Sequence, residues 1–116
     1  VWSLVDVDPT ILDLVGAAPP ARWQGRSLLG GSPRVARFFT DHTLYQIGLR
    51  DGPWKLIHEV ETGRSRLFAL DRDPLERENL ADAEPARVAR YRDHVVAWAA
   101  GQQATIARYR ESPPAP

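Results

Sequence analysis

Three carboxylates lie close together in the sequence, at Asp71, Asp73 and Glu76. A convergent cluster of this kind can perform acid–base catalysis or bind calcium, because both depend on carboxylate oxygens that meet at one point. The same spacing fits the start of a helix, with Asp73 as the N-cap, Pro74 at the first helical position and Glu76 at N3. We expect this capping-box role, and therefore no acid–base or calcium site in this segment.

Three histidines, His42, His58 and His94, are the other candidates for chemistry. They are isolated from one another, without the short spacings typical of metal-binding histidines. We expect His94 to be a solvated helix residue and His58 to lie on the surface of a sheet. His42 lies in a polar loop, where binding residues concentrate, and its protonated imidazole would suit an anionic ester. A plain polar loop residue is the competing interpretation of His42.

Two cationic residues complete the candidates. Arg37 comes shortly before His42 in the sequence, and we expect it to add a second positive charge near the same loop. Lys55 follows a tryptophan in a predicted strand and could bind an anion. We expect Lys55 instead to face solvent, or to form an ion pair that holds a small domain together.

The composition excludes several functional classes. Fifteen basic and fifteen acidic residues cancel in the 116-residue chain, so no strong potential favours nucleic acid or an anionic membrane surface as a partner. The absence of cysteine excludes disulfides, thiolate metal ligands and a cysteine nucleophile. No apolar run approaches the roughly 18 residues of a membrane-spanning helix. The chain begins at Val1 and contains no methionine, and we expect it to be a fragment of a longer protein.

Short apolar runs separated by turn residues predict a sheet of about four strands. The first strand candidate runs from Val35 to Thr40, and three more runs follow from Leu44 onward. Asp51-Gly52 and Thr62-Gly63 separate these three runs. Asp-Gly between such runs favours a hairpin, because a type I′ turn needs positive φ at its centre.

One helix is predicted before the sheet in the sequence and one after it. Asp6 or Asp8 can cap a first helix, and Asp8 would place Pro9 at the first helical position. This helix is only about two turns long, so it must lean on a larger body to be stable.

The second helix is longer and lies near the C-terminus. Val88, Tyr91, Val95 and Trp98 recur at helical spacing and predict one apolar stripe. We expect Trp98 to anchor this helix on the sheet. Such a sheet with a helix on one face is an α+β arrangement.

Three motifs follow one another between Leu44 and Ala81. They are a Trp-Lys-Leu-Ile strand, a strand ending in Leu-Phe-x-Leu-Asp, and the segment Asp-Pro-x-Glu-x-x-Asn-Leu-Ala. Together they resemble the C-terminal subdomain of sulfatases of the alkaline-phosphatase superfamily. We expect structural roles for the matching residues Trp54, Lys55, Asp71, Asp73, Pro74, Glu76 and Asn79.

A second resemblance lies nearer the N-terminus. Val5-Asp-x-x-Pro-Thr-x-Leu-Asp-Leu-x-Gly, followed by Gly25-Arg-Ser-Leu, is similar to the end of the large catalytic domain of sulfatases. The resemblance implies that residues 1–31 are the tail of that α/β domain, including its last short helix. Residues 32–111 would be the C-terminal α+β subdomain, and composition predicts a disordered tail at 112–116. The missing N-terminal catalytic domain is then the expected partner.

The resemblance implies that the parent enzyme hydrolyses sulfate esters. The family nucleophile is a formylglycine made from Cys or Ser in a Cys/Ser-x-Pro-x-Arg motif, and a divalent cation and basic groups stabilise the charge that develops. That motif is absent here, because Ser32-Pro33-Arg34 has the wrong spacing. We therefore assign no catalytic or metal residue and expect this chain alone to be inactive. Calcium or another divalent cation is expected in the parent enzyme, and none in this chain.

The resemblance also implies a binding role at the edge of the site. His42 and Arg37 are expected at the rim of the substrate cleft, where an anionic ester would bind. Similarity to membrane-anchored bacterial relatives favours an extracytoplasmic parent, either periplasmic or membrane-anchored. Two alternatives stay open, namely a phosphoester or phosphonoester hydrolase of the same superfamily and a free-standing, non-catalytic interaction module. The nucleophile upstream of this chain would distinguish the two hydrolases.

Overall fold

The computed structural model describes residues 3–31 and 34–111. The predicted tail at 112–116 lies outside these residues. The N-terminal part contains a short 3-10 helix and the helix α1, and the rest contains four strands and the helix α2. In chain order the elements are the 3-10 helix Leu4–Asp6, α1 Val7–Leu14, β1 Ala36–Asp41, β2 Tyr45–Asp51, β3 Trp54–Glu59, β4 Ser65–Ala69 and α2 Pro85–Glu111. The predicted α+β class is confirmed.

The four strands form one antiparallel sheet in the order β1-β2-β3-β4, so each strand pairs with the next one in the chain. Alternation along the strands directs every second side chain toward α2. The core between the sheet and α2 consists of Ile47, Leu49, Leu56, Leu67, Tyr91 and Val95. This core confirms the predicted packing of the long C-terminal helix on one face of the sheet.

The hairpin between β2 and β3 is present, but its turn differs from the prediction. Asp51 pairs with Trp54, so the turn residues are Gly52 and Pro53 rather than Asp51 and Gly52. Gly52 has a φ of 55°, whereas the proline ring fixes a negative φ at Pro53. Because a type I′ turn needs positive φ at both positions, these signs fit type II′ instead.

The predicted capping box after β4 is wrong, because no helix begins at Asp73. The Asp73 carboxylate accepts a hydrogen bond from the Glu78 N–H at 2.8 Å, and the Asp73 carbonyl accepts one from the Glu76 N–H at 3.2 Å. Glu76 itself has a φ of 55°, in the left-handed region that a helix excludes. The segment is therefore a tight turn, and Asp73 stabilises it through its own carboxylate.

This turn brings the next residues back along the outer edge of β4. The Asn79 side-chain oxygen accepts a hydrogen bond from the Leu67 N–H at 3.0 Å. The Leu80 N–H donates to the Leu67 carbonyl at 2.8 Å. The backbone groups of Leu67 that face away from β3 are thus paired, and Asn79 has a structural role here.

Helix α2 uses a different residue from the one predicted to hold it on the sheet. Tyr91 and Val95 are buried, with 5% and 0% of their surface exposed. Val88 and Ala99 pack against them and continue the stripe. Trp98 is only half-buried and lies outside this core, because it projects from the flank of the stripe toward β1. The residues that anchor α2 in the core are therefore Tyr91 and Val95, and the predicted anchor, Trp98, is not one of them.

The N-terminal part leaves much apolar surface exposed. Helix α1 begins at Val7, so Asp6 rather than Asp8 lies at its N-cap, and Pro9 is the third helical residue. Leu4, Leu14 and Val15 have 89%, 67% and 71% of their surface exposed. Neither α1 nor α2, as described, is long and apolar enough to cross a membrane.

Candidate functional site

A buried carboxylate organises the N-terminal part of the chain. Asp6 has 1% of its surface exposed. Its Oδ2 accepts a hydrogen bond from the Ser3 N–H at 3.0 Å, and its Oδ1 accepts one from the Arg26 N–H at 3.0 Å. The same Oδ1 lies 2.7 Å from Nη2 of Arg34. These donors compensate the desolvation of the carboxylate and bring residues 26 and 34 close together beside the helix N-terminus.

The two N-terminal sulfatase-like motifs contact each other through further hydrogen bonds. Thr10 accepts one from the Leu28 N–H at 3.0 Å through its hydroxyl oxygen. The Ser27 hydroxyl donates to the Asp13 carboxylate. The polar residues Thr10 and Asp13 of one motif thus bind the backbone and the hydroxyl of the other.

At Gly25 the backbones of these two motifs approach each other closely. A Cβ atom at this position would lie 1.6 Å from the Val5 carbonyl oxygen and 3.0 Å from a Pro9 ring carbon. No side chain fits in that space, so only a glycine allows the chain before Arg26 to cross the start of the helix. This contact places Arg26 beside Asp6.

An open cleft lies between this N-terminal part and the edge formed by β1 and α2. Its volume is about 390 Å³, within the range of small-molecule sites. Its lining carries three arginines, one amide and one indole, and no carboxylate. The lining residues are Ser3, Val5, Gln24, Arg26, Arg34, Val35, Ala36, Arg37 and Trp98.

Arg37, one of the two predicted rim residues, lines this cleft from β1. Its Nε and Nη2 lie 3.0 and 2.7 Å from Nε2 of His94 on α2. The guanidinium is the donor in this contact, so His94 accepts through an unprotonated Nε2. Arg37 therefore keeps its positive charge while its side chain is held in place. His94 is exposed, as predicted, but it also positions Arg37.

His42, the other predicted rim residue, lies elsewhere. It is exposed in the turn between β1 and β2, and within the described ranges its imidazole makes no hydrogen bond or ion pair. Arg37 lies near the start of β1 and His42 follows its end, so their backbones are roughly 16 Å apart at the usual rise of a strand. The structure does not bring the two residues together, and a rim role for His42 stays a prediction.

Lys55 and Glu76 form an ion pair, with Nζ 2.7 Å from Oε1. The ion-pair alternative predicted for Lys55 is therefore confirmed. The Lys55 ammonium also lies 5.8 Å from the centre of the Phe38 ring. The pair joins β3 to the turn after β4. Asp71 and Pro74 are exposed in the same turn region.

Trp54, another residue of the motif, connects the β2–β3 hairpin to α2. The Arg87 guanidinium lies 4.0 Å from the centre of the Trp54 ring, a cation–π contact. Next to it, the Tyr91 hydroxyl donates to the Asp51 carboxylate at 2.7 Å. Burial, and then this hydrogen bond to Asp51, raise the pKa of Tyr91. These contacts are structural, because they fix the start of α2 against the hairpin.

His58 is buried, with 7% of its surface exposed, which corrects the prediction of a surface position. Alternation along β3 places it on the same face as Leu56, beneath α2. Its Nδ1 lies 3.0 Å from the Ser65 hydroxyl. Burial lowers the pKa of His58, and the nearby Arg92 charge lowers it further. His58 is thus a neutral core residue, and the parity of the strand was the signal that could have identified it.

Within residues 3–31 and 34–111, no three His, Asp or Glu side chains converge in a way that could hold a metal ion. Asp71, Asp73 and Glu76 belong to the turn after β4, where Asp73 binds backbone and Glu76 binds Lys55. The described part of the chain therefore does not fit the divalent cation expected in the parent, and we assign no step to such a cation.

Comparison with solved structures identifies several similar proteins, some of which are described as sulfatases. A 2-O GAG sulfatase is 26% identical, with a TM-score of 0.66 over 84% of this chain. A protein of Bacteroides thetaiotaomicron described as a sulfatase is also 26% identical, with a TM-score of 0.56 over 90% of this chain. A third, solved in complex with its substrate D-glucosamine-2-N,6-O-disulfate, shares the fold at 21% identity, with a TM-score of 0.61 over 94% of this chain.

The extent of these matches is as informative as their similarity. This chain spans 24%, 23% and 24% of the length of the three similar proteins. No family model matches the sequence. The similarity nevertheless extends over 84%, 90% and 94% of this chain. The chain thus has the fold of one segment of bacterial sulfatases, about a quarter of their length, and the resemblance predicted from its motifs is confirmed.

Proposed function

We propose that this chain is the C-terminal piece of a sulfatase-like hydrolase and that the parent enzyme cleaves sulfate esters. The observation that carries the proposal is the structural similarity to sulfatases over 84% of this chain and only 24% of the similar protein. The nucleophile motif and a metal site are then contributed by the remainder of the enzyme. This chain supplies packing surface and part of the cleft wall, and alone it has no activity.

The exposed apolar surface of the N-terminal part supports a structural role. Leu4, Ile11, Leu14 and Val15 are between half and nine-tenths exposed on or beside α1. An amphipathic helix of this length is not stable without a partner that covers its apolar face. The catalytic domain of the parent is the partner that we propose for this face.

A sulfated saccharide is the substrate class that we propose to test first. Two of the similar proteins are described by such chemistry, one as a GAG sulfatase and one with a glucosamine disulfate as substrate. An anionic ester also fits the positive charge of Arg37 at the cleft. Binding by a rim residue would be uniform in the ground and transition states, so it would change KM rather than kcat.

The test uses the full-length enzyme and this chain in parallel, each with nitrophenyl sulfate and nitrophenyl phosphate and with added calcium or magnesium. We expect the full-length enzyme to hydrolyse the sulfate ester in preference to the phosphate ester, and this chain to hydrolyse neither. Preference for the phosphate ester would instead assign the parent to phosphoester hydrolysis. Turnover by this chain that persists through repurification would contradict the assignment of the catalytic groups to the rest of the enzyme.

A further inference from the structure

The cleft beside α1 concentrates positive charge on one side of a chain that is neutral overall. Arg26, Arg34 and Arg37 line it, whereas Asp6 is the one carboxylate within ion-pair distance of these guanidiniums in the described residues. Three positive charges thus face one negative charge, and the excess is not compensated by the cleft lining. Clefts with walls of low dielectric constant focus such a field toward an anion.

Arg34 offers a donor that lacks an acceptor. One of its terminal nitrogens binds Asp6, but its Nε–H is buried and without a hydrogen-bond partner among the described residues. A buried donor without an acceptor is unfavourable, and such groups are rare in native structures. The Arg34 guanidinium thus has hydrogen-bonding capacity left beside the cleft that it lines.

The other two guanidiniums are available in the same cleft. Arg37 is held by His94, which accepts its hydrogen bonds without neutralising its charge. Arg26 is fixed through its backbone N–H on Asp6, while its side chain makes no ion pair within the described ranges. Guanidiniums bind oxyanions through paired, charge-assisted N–H donors. An acceptor with several oxygens thus matches this arrangement better than a single neutral carbonyl.

We propose that this cleft binds an oxyanion, a sulfate or carboxylate group, carried by a ligand of about the size of one saccharide unit. The oxyanion contacts Arg26, Arg34 and Arg37, and Gln24 and Trp98 provide an amide and an indole face for the rest of the ligand. The identity of that ligand as part of the substrate rests on the proposed function, but anion binding by the cleft does not.

An acidic side chain from the rest of the parent enzyme is the alternative occupant. The cleft volume of about 390 Å³ exceeds what one carboxylate side chain fills and is typical of small-molecule sites. Trp98 and Gln24 line the same cleft and can contact a ligand larger than one carboxylate. A small ligand is for these reasons the occupant that we propose.

The first experiment locates the anion in the full-length enzyme. Crystals grown without sulfate are soaked with selenate, whose anomalous scattering identifies its position directly. We expect a selenate peak within hydrogen-bond distance of the Arg34 and Arg37 guanidiniums. An empty cleft at a selenate concentration that saturates binding in solution, or a protein carboxylate in its place, would overturn the proposal.

The second experiment measures inorganic sulfate binding by calorimetry at low ionic strength. Arg26→Gln and Arg37→Gln remove one charge each from the cleft, and we expect each to weaken binding about tenfold, the factor that one charge-assisted hydrogen bond supplies. Arg64→Gln is the control, because Arg64 is exposed in the turn between β3 and β4, away from β1. Equal affinities for all three variants would contradict the site.

The two proposals fail in different ways. If the full-length enzyme hydrolyses no sulfate ester but the cleft variants lose sulfate binding, the proposed reaction is wrong and the oxyanion site stands. If hydrolysis of sulfate esters is observed and the cleft variants bind sulfate like the wild type, the proposed reaction stands and the oxyanion site is wrong. Circular dichroism spectra of each variant show whether it is folded, and the selenate position in wild-type crystals does not depend on any variant.

Discussion

Lys55 and Glu76 join two elements of the subdomain through an ion pair of 2.7 Å, although Glu76 holds a left-handed backbone conformation that its side chain disfavours. For a residue other than glycine, this conformation costs about 1–2 kcal/mol relative to the right-handed region. The ion pair and the backbone hydrogen bond of Glu76 to Asp73 stabilise the turn against that cost. At position 76 the side chain therefore stabilises the turn through its ion pair, whereas the left-handed backbone conformation destabilises it.

These opposite effects predict an order of stability between two variants of Glu76. Both Glu76→Ala and Glu76→Gly remove the ion pair with Lys55, but only glycine adopts a φ of 55° without strain. We expect Glu76→Gly to be more stable than Glu76→Ala by about 1 kcal/mol. Urea unfolding of the two variants measures the difference. A less stable glycine variant would show that the fold does not require the left-handed conformation at position 76.

Two glycines give a matched test of packing on the sheet and on α2. A Cβ at Gly48 would lie 2.4 Å from the Phe38 ring and 2.5 Å from the Leu56 carbonyl oxygen, whereas a Cβ at Gly101 would meet no atom within 4 Å. Gly48→Ala should therefore destabilise the fold by about 1–3 kcal/mol. Gly101→Ala, inside α2, should stabilise it by about 0.5–1 kcal/mol. Thermal melts of both variants give the comparison, and equal melting temperatures would contradict it.

The position of Trp98 beside the core predicts that truncating this larger side chain costs less than truncating a smaller one. Leu56 is completely buried, and Leu56→Ala should cost about 2–5 kcal/mol. Trp98 is half-buried at the cleft, so Trp98→Ala should cost less than Leu56→Ala in the free energy of unfolding. Denaturant unfolding measures both. A larger loss for Trp98→Ala would return Trp98 to the core that the sequence pattern predicted.

His58 predicts how stability depends on pH. Burial first, and then Arg92, lower its pKa from the usual value of 6.5. Between its folded and unfolded pKa values, the unfolded chain binds more protons on this group than the folded chain. Stability should therefore fall as pH drops below about 6.5, until the folded imidazole is also protonated.

The measurement is the urea midpoint at pH 7.5, 6.5 and 5.5, for the wild type and for His58→Gln. The variant should lose part of the decrease between pH 7.5 and 5.5, although the loss of the Ser65 contact lowers its stability at every pH. His42→Gln is the control, since His42 is exposed and should leave the decrease unchanged. Parallel curves for the wild type and His58→Gln would exclude His58 as the origin.

His42 has its own prediction in the full-length enzyme. If it lines the substrate cleft, His42→Ala should raise KM for an extended substrate and leave kcat nearly unchanged, because a uniformly bound group affects both states equally. A minimal substrate that does not reach the rim serves as the control. Unchanged kcat/KM for both substrates in the folded variant would make His42 a surface residue of a purely structural subdomain.

The elements of the fold could be predicted from the sequence because each depends on local patterns. Short apolar runs between turn residues indicated the strands, and helical spacing placed Tyr91 and Val95 on one stripe. The role of Glu76 could not be predicted in this way. Its neighbours fit a capping box, but its partner Lys55 is 21 residues away, and no local pattern reports that distance. Long-range pairs of this kind decide which of two locally possible structures the chain adopts.

The candidate site was predictable only in part, for the same reason. Arg37 was predicted at the rim of the parent's substrate cleft, a role that stays a prediction. Arg26 and Arg34 were not singled out, because Asp6 brings them together across segments that are distant in sequence. Asp6 was interpreted as a possible helix cap, a role that uses only its neighbours. Its burial and its contacts with residues 26 and 34 exist only in the folded chain.

The hydrogen bonds that Leu67 donates to Asn79 and accepts from Leu80 also determine how separate copies of this subdomain could join. Because that segment covers β4, the sheet within the described residues can accept a further strand only beside β1. Two copies paired through β1 would cover both remaining edges, and no edge would be left for a third copy. Sheet extension would then end at a closed pair, and polymerisation into a fibril would require the chain to unfold around Asn79.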